Sequence, residues 1–465
     1  MKVCSRPLIS RSNWYIMCNV FNRQGEVCSM KALRKHYVDE LIRRQHNGLV
    51  KILTGIRRCG KSYLLSVLFK DYLLQQGIPE DHIIEVPLDR DDHRDLRDAI
   101  KLGEHIRSKI IPDGNWSYVF IDEIQLTRRV LPPDIDLSRI APEDREMAYV
   151  TFYDTLNGLR QMDHVDVYVT GSNSKMLSKD IDTNFGDRGV QIRVHPFSFA
   201  EYCEALDVTD TSDAFSRYLI WGGMPLAVAE PDDRARANYL KSLLSELYLT
   251  DIRMRYRLRD DYILARLLDV LSSATGSLTN PHKLTDTLKS VLKKSPSDHT
   301  IANYIEYLED AFLFSEARRW EVKGKKYFDY PLKYYCEDNG LRNARLDFRD
   351  VEPSHAMESV IYNELILRGC QVDVGVVTVG DRTHEIDFVV NRAPGKLYIQ
   401  VALELPTPEK REQELLPLRK CDDFFRKMII VRGNDPLHFT GDGIMEVGSI
   451  PFLLDKTILD KALAD

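Results

Sequence analysis

The stretch Gly55-Ile-Arg-Arg-Cys-Gly-Lys-Ser62 decides the fold, because it has the spacing of a phosphate-binding loop, GxxxxGK[ST]. A short β-prone run, Leu49 to Thr54, precedes it, and helical periodicity continues from Tyr63 to Leu74. Strand, glycine loop and helix in this order form the context that the motif requires. The alternative is a glycine turn that only caps a helix. The context favours a parallel α/β sheet of the P-loop NTPase class.

The residue types of the loop fit a nucleotide with Mg²⁺. Its two glycines let the backbone turn, so that successive N–H groups face the phosphates at the positive end of the helix dipole. Lys61 would place a positive charge beside the β- and γ-phosphates, and Ser62 would offer its hydroxyl to Mg²⁺. The chain shows no guanine-specifying NKxD element, which favours ATP. The predicted ATP-binding residues are Gly55, Ile56, Arg57, Arg58, Cys59, Gly60, Lys61, Ser62 and Tyr63.

A second signal lies in Tyr118-Val-Phe-Ile-Asp-Glu-Ile-Gln125, an apolar strand that ends in two carboxylates. Alone, such a run is typical of a solvated strand end. After a phosphate-binding loop it has the pattern of a Walker B strand. Asp122 would then complete the Mg²⁺ site, and Glu123 would orient or deprotonate the attacking water.

Three further residues are candidates for the reaction. Val165 to Val169 form another buried-type strand, and Thr170 and Asn173 follow at its end, where parallel strands converge on a ligand. Either side chain would hydrogen-bond the γ-phosphate or the water, or else cap the next helix. Arg188, in a glycine-rich segment, is a candidate cation for the transition-state charge, with a solvated arginine as the alternative.

Length and composition set the frame for these motifs. A chain of 465 residues predicts two to four domains, and its net charge of −7 indicates that any nucleic-acid binding needs a local basic face. Eight scattered cysteines without a CxxC pair fit free thiols in a reducing cytoplasm. No run reaches the roughly 18 apolar residues of a membrane span. The sequence therefore predicts a soluble, cytoplasmic protein without a membrane partner.

The order of these motifs resembles the predicted AAA+-type ATPases of archaea and bacteria that carry a nuclease-like C-terminal domain. Val194 to Tyr202 (VHPFSFAEY) and Trp221 to Pro225, which look like the GGxP signature, extend the resemblance over roughly residues 30–460. It implies an ASCE-type sheet with Glu123 as the catalytic acid and Thr170 or Asn173 as the sensor. The segment from Thr127 to Glu146 departs from the pattern as an insertion, and spacing identifies no second-sensor arginine.

The middle of the chain has a helical pattern. Two short helices, within 280–292 and 299–312, precede β-prone runs at 314–320 and 325–330, an order that fits a winged helix-turn-helix. The second helix would enter a major groove, with lysines of the first helix and the following turn near the phosphates. However, the second helix carries Glu306, Glu309 and Asp310, which disfavour DNA. A packing module is the alternative.

The C-terminal part resembles a PD-(D/E)XK nuclease-like fold. This resemblance implies that Glu358 or Glu364 is the helical acid and Asp387 the central aspartate. The next strand should supply E-x-K but reads Gln400-Val-Ala402, so a metal ligand and the water-activating lysine are missing. Glu404 would substitute for the acid only if the strand bulges. We expect a degenerate centre that binds nucleic acid or protein.

The expected organisation is a leader at residues 1–29, an ATPase domain at 30–210, a helical and winged-helix region at 211–330 and an α/β restriction-nuclease-like domain at 331–465. The expected function is a Mg²⁺-dependent ATPase that acts as a switch or motor for the appended modules. An ATP-gated nuclease and a non-catalytic DNA-binding regulator are the alternatives. A homo-oligomer is compatible with the sequence.

Overall fold

The computed structural model describes residues 19–21, 27–29, 32–172, 186–258, 262–291, 296–322, 324, 326–349, 351–379, 381–393 and 395–464. The strands are β1 (Asn19–Phe21), β2 (Val27–Ser29), β3 (Val50–Thr54), β4 (Ile83–Pro87), β5 (Ser117–Asp122), β6 (Val165–Thr170), β7 (Gly189–Arg193), β8 (Phe314–Glu321), β9 (Lys326–Cys336), β10 (Gln371–Val379), β11 (Arg382–Arg392), β12 (Gly395–Ala402), β13 (Arg426–Val431), β14 (His438–Phe439) and β15 (Met445–Gly448).

The α-helices are α1 (Lys35–Arg43), α2 (Lys61–Tyr63), α3 (Lys70–Gln75), α4 (Ala99–Lys109), α5 (Phe152–Arg160), α6 (Phe199–Ala205), α7 (Thr211–Trp221), α8 (Pro225–Ala229), α9 (Asp233–Ser242), α10 (Thr250–Arg255), α11 (Tyr262–Ser273), α12 (Pro281–Val291), α13 (Asp298–Asp310), α14 (Asn339–Arg345), α15 (Pro353–Leu367), α16 (Pro408–Arg419), α17 (Ser449–Leu454) and α18 (Lys456–Leu463). Two π-helical segments, Leu64–Phe69 and Leu243–Leu249, join α2 to α3 and α9 to α10.

The first large sheet is parallel and has five strands in the order β4-β5-β6-β3-β7. Apolar side chains cover both of its faces, as a parallel sheet requires. Because all strands run the same way, the ends of β3, β5 and β6 meet at one edge. The predicted P-loop sheet is confirmed, and this edge carries the phosphate-binding loop.

Helices fill the middle of the chain, as the sequence predicts. The segment from α9 through the π-helical turn to α10 is continuous and packs its apolar residues in the same core as α11, α12 and α13. An isolated bridge joins Thr279, ahead of α12, to Leu332 on β9. This bridge links the helices to the β8-β9 hairpin.

The hairpin β8-β9 belongs to a larger unit than the sequence predicts. It is part of an eight-stranded sheet in the order β14-β15-β13-β12-β11-β10-β8-β9, and β8 pairs in parallel with β10. The expected boundary between residues 330 and 331 therefore falls inside β9. The two runs are strands as predicted, but they extend the C-terminal sheet.

The C-terminal part follows the order α15, β10, β11, β12, α16 and β13, with β12 and β13 parallel across the α16 connection. Helices α6 and α7 of the preceding region share a hydrophobic core with α15, α17 and this sheet. Among the described residues, no helix is long and apolar enough to cross a lipid bilayer. Of the expected leader, the structure describes only the antiparallel pair β1-β2.

A buried ion cluster joins the parallel sheet to the C-terminal part. Glu337, which follows β9, accepts a hydrogen bond from Arg193 at the end of β7 (2.6 Å) and lies 2.6 Å from Nδ1 of His195. Burial alone would raise the pKa of Glu337, but Arg193 and His195 outweigh it and hold that pKa at about 2. The junction therefore depends on an ionised carboxylate.

We expect Glu337→Gln to lower the free energy of unfolding at pH 7 by about 3 kcal/mol, because it leaves the Arg193 guanidinium and the His195 ring without their carboxylate partner. The depressed pKa of Glu337 contributes stability above its ordinary value of about 4.5 and loses it as the pH falls towards about 2. The thermal unfolding midpoints of the wild-type protein and Glu337→Gln should therefore differ at pH 7 and converge as the pH falls from about 4.5 towards about 2. The exposed Glu352→Gln is the control, and a pH-independent difference would contradict this role.

Candidate nucleotide site

Two glycines shape the loop between β3 and α2. Gly55 has φ 138°, and a Cβ there would lie 2.0 Å from the carbonyl oxygen of Val194. Gly60 has φ 100°, in the region that glycine adopts without strain. These positions explain why the loop passes close to the end of β7 and still enters a helix. The predicted strand, loop and helix are confirmed.

Lys61 lies inside this loop. Its ammonium group is buried and donates hydrogen bonds to the carbonyl oxygens of Gly55 and Ile56, both at 2.9 Å. These carbonyls fix the charge at the centre of the turn, beside the first residues of α2. A group with several phosphate oxygens would meet both the ammonium group and the N-terminal amides of the helix.

Ser62 and the two carboxylates meet at the same edge. The Ser62 hydroxyl donates to Asp122 at 2.9 and 2.8 Å, and the Thr170 hydroxyl also donates to Asp122. Burial and the neighbouring Glu123 raise the pKa of Asp122, while the hydroxyl hydrogen bonds partly offset that rise. A buried carboxylate next to a hydroxyl is the oxygen donor set that suits Mg²⁺, whose remaining ligands come from phosphate and water.

Glu123 is held by polar partners at the end of β5. Its backbone has φ 55°, and its N–H donates to the Thr170 hydroxyl at 3.0 Å. Its carboxylate accepts hydrogen bonds from Gln125 and from the Ser172 hydroxyl, the latter at 3.4 Å. The sequence motifs did not single out Gln125 and Ser172, although both lie in the motif runs. Together they fix the carboxylate that would face the attacking water.

The other residues of the loop have different surroundings. Ile56 is buried, Arg58 is exposed with φ 64°, and the Cys59 thiol donates to the carbonyl of Val194 at 3.2 Å. Burial raises the pKa of that thiol, so it stays neutral. Arg57 donates to Ser172 at 3.2 Å and lies 3.4 Å from the carboxylate of Asp251 on α10. Half-buried Tyr63 follows at the start of the helix.

Arg188 lies away from this group. It precedes β7, whose first residue, Gly189, pairs with Val50 at the start of β3, whereas the loop follows the end of β3. Four residues of extended strand, about 13 Å, separate the two edges. The structure therefore does not bring Arg188 to Lys61 and the two carboxylates, and its part in stabilising transition-state charge stays a prediction. Asn173 lies outside the described residues.

The residues predicted for a nuclease-like centre lie around the C-terminal sheet. Lys333 on β9 is buried and lies 2.9 Å from Glu358 and 2.6 Å from Glu385. Asp387 accepts a hydrogen bond from the Val401 amide at 2.8 Å, and its pKa is raised by burial and by Glu358, against the effect of Lys333. The sequence pattern did not indicate this lysine, because it lies on β9, ahead of the helix and strands that carry the predicted motif.

The other residues predicted for that centre have different surroundings. Glu364 is ion-paired with Arg368 at 2.6 Å, whereas Glu358 lies near Asp387. The amide of Gln400 donates to Glu414 at 3.2 Å, and Glu404 is exposed. Within the described part of the chain, no three or more histidine, cysteine, aspartate or glutamate side chains come together as a metal site.

Comparisons with known proteins agree with the nucleotide site. A family model described as an AAA domain matches residues 47–203, and a domain of unknown function (DUF8612) matches residues 212–352. The solved Walker-type ATPase PABY2304 of Pyrococcus abyssi is 16% identical and has a TM-score of 0.45, covering 70% of this chain and 98% of its own.

Two curated relatives align over most of the chain. "Uncharacterized protein MJ1544" of Methanocaldococcus jannaschii is 24% identical over 80% of this chain and 78% of its own length. An "Uncharacterized protein" of Haemophilus influenzae is 31% identical over 425 residues, which are 90% of this chain and 98% of the relative. The chain therefore belongs to the same family as the Haemophilus influenzae protein, and its residues 47–203 match the AAA domain.

Proposed function

We propose that the protein binds Mg-ATP at Gly55 to Tyr63 and hydrolyses it, and that the cycle drives the helical and C-terminal modules as a switch or motor. One observation carries this proposal. Five residues gather at one edge of the parallel sheet, from the start of α2 and from the ends of β5 and β6: Lys61, Ser62, Asp122, Glu123 and Thr170. These are the groups that phosphoryl transfer to water needs.

Each residue has a defined part in this proposal. The Lys61 ammonium would leave the carbonyls of Gly55 and Ile56 and stabilise phosphate charge. Mg²⁺, when bound by Ser62 and Asp122, neutralises charge on the phosphates. Glu123, held by Gln125 and Ser172, orients the water and accepts its proton. Thr170 fixes the two carboxylates relative to each other.

Contacts between the site and the helices support a switch. Arg57 of the loop lies beside Asp251 on α10, and the α9-to-α10 segment packs on the core that holds α11 to α13. Nucleotide phosphates that move Arg57 would change this contact. ATPase assays with and without DNA or RNA test the proposed role as a switch. If DNA or RNA stimulates ATP hydrolysis, that nucleic acid is the partner.

We infer that the helical region contacts nucleic acid or protein. Asp310 on α13 is buried with its carboxylate 2.6 Å from the Tyr256 hydroxyl, so it does not oppose a phosphate backbone. Lys289 on α12 forms an ion pair with Asp286, with the nitrogen and oxygen 2.9 Å apart. DNA binding through α12 and α13 would weaken steeply with salt, and no binding at low salt would leave a protein partner. Self-association is a further proposal.

The C-terminal centre is best explained as degenerate. Lys333 places one positive charge between Glu358 and Glu385, where a nuclease would use its carboxylates to gather cations. Tyr335 also donates to Glu358 at 2.6 Å. These partners leave the carboxylates engaged with the protein itself. We therefore propose a scaffold for binding.

We expect no cleavage of single- or double-stranded DNA or RNA in the presence of Mg²⁺ or Mn²⁺, because the lysine of E-x-K is replaced by Ala402. Gel analysis of end-labelled substrates checks this expectation, with and without ATP. Asp387→Ala is the matched control for contaminating nucleases. Cleavage by the wild-type protein that disappears in Asp387→Ala would instead establish an ATP-gated nuclease.

A further inference from the structure

Two carbonyl groups of the phosphate-binding loop accept hydrogen bonds from residues outside the AAA domain. Arg34, just before α1, donates from Nη1 to the carbonyl oxygen of Cys59 at 2.7 Å. Tyr248, in the π-helical segment Leu243–Leu249, donates from its hydroxyl to the carbonyl oxygen of Arg57, also at 2.7 Å. The two donors reach the loop from opposite ends of the sequence, on either side of residues 47–203.

These bonds orient the peptide units of the loop. In a planar trans peptide, the carbonyl and the following N–H point in opposite directions. The Arg57 carbonyl points towards Tyr248, so the N–H of Arg58 points away from Tyr248. The Cys59 carbonyl points towards Arg34, so the N–H of Gly60 points away from Arg34. Successive N–H groups that face one concave side form an anion-binding nest.

Several hydrogen bonds hold Arg34 in this position. It is buried, and its other nitrogens donate to the carbonyl oxygen of His195 at 2.7 Å and to Glu201 at 3.1 Å. Burial alone would lower the pKa of Arg34, but Glu201 more than offsets it, so the guanidinium stays charged. Its planar fork serves three acceptors at once, which the single ammonium of a lysine does not match in geometry.

Tyr248 is also held in place by its surroundings, and it belongs to the helical region. Tyr248 is buried in the core shared with α11 to α13, and Asp251, about one turn further along, lies 3.4 Å from Arg57. The same helical segment therefore contacts both the backbone and a side chain of the loop. π-helical turns inside longer helices often occur at functional sites.

We propose that Arg34 and Tyr248 are positioning residues for the phosphates, and that the helical region sets nucleotide affinity through the hydroxyl of Tyr248. This inference rests on the proposed ATP binding. It makes the AAA domain dependent on residues that lie outside its own boundaries. A movement of the helical segment that withdrew the hydroxyl would release the Arg57 carbonyl and weaken phosphate binding.

The test compares Tyr248→Phe with Tyr218→Phe in the full chain. Both variants remove one hydroxyl that donates to a carbonyl at 2.7 Å, and the Tyr218 hydroxyl bonds Phe197 instead of the loop. We expect Tyr248→Phe to weaken ATP, ADP and pyrophosphate binding by a common factor of about five to ten in calorimetry. Tyr218→Phe should keep wild-type affinities even if both variants lose similar thermal stability.

Kinetics give a second readout. Because the nest would contact phosphates before and during the reaction, Tyr248→Phe should raise KM about five- to tenfold and leave kcat within about twofold. Arg34→Lys should weaken binding at least as much, since an ammonium group does not reproduce the planar fork that reaches these three acceptors. A wild-type protein that binds no nucleotide would overturn the ATP proposal. Wild-type binding with unchanged affinity in Tyr248→Phe, or equal losses in Tyr218→Phe, would overturn this inference alone.

Discussion

Lys61→Ala is expected to lower the affinity for Mg-ATP at least about 100-fold. The substitution removes a charged donor to the phosphates, and such bonds contribute up to about 3 kcal/mol. It also removes both hydrogen bonds that the ammonium group makes to the Gly55 and Ile56 carbonyls. The loop then loses its central cross-link as well as its charge. Calorimetric titration of the purified variant with Mg-ATP measures the effect.

The control for that titration lies on the same helical segment. Lys70 pairs with Glu85 and Glu80 instead of contacting the loop, so Lys70→Ala should keep the wild-type affinity. Thermal unfolding of both variants separates lost binding from lost folding. Unchanged Mg-ATP affinity in a folded Lys61→Ala protein would rule out this loop as the nucleotide site.

Glu123→Gln should keep ATP binding and reduce turnover by about 10² to 10⁴, the range that a positioned acid or base contributes. The amide has nearly the same shape, and its oxygen still accepts hydrogen bonds from Gln125 and Ser172. It does not accept a proton from water. Phosphate release under saturating ATP, measured beside the binding constant, distinguishes the two effects.

Glu146→Gln is the matched control for this substitution, because Glu146 is exposed and paired with Arg129 in the segment after β5. It should hydrolyse ATP at the wild-type rate, with or without nucleic acid. If Glu123→Gln retained full turnover, the water would have to be oriented by another group, and the proposed role of Glu123 would be wrong.

The sequence predicts that the loop and the strand-end residues are neighbours because its signals are local. The loop, its flanking strand and its helix lie within one continuous run, and Asp122 and Glu123 end an apolar strand of their own. A parallel sheet then brings the strand ends together. Lys61, Ser62, Asp122 and Glu123 are therefore recognisable as neighbours from their motifs alone.

The supporting contacts could not be predicted in the same way. Arg34 and Cys59 are 25 positions apart, and Tyr248 and Arg57 are 191 apart, so no periodic pattern connects either pair. Lys333 approaches Glu358 through a strand that the sequence pattern assigns to no catalytic motif. The sequence also did not show that Arg188 lies near the start of β3, away from the loop, because a glycine-rich segment does not indicate at which end of its strand it lies.

The shared sheet has a practical consequence for dividing the protein. A fragment that starts at residue 331 lacks β8 and the first part of β9, so β10 becomes an outer strand. β10 is rich in valine, and an exposed apolar edge recruits other chains. Such a fragment is prone to aggregate for reasons unrelated to its function. A fragment that begins ahead of β8 keeps the edge covered and retains Lys333 beside Glu358.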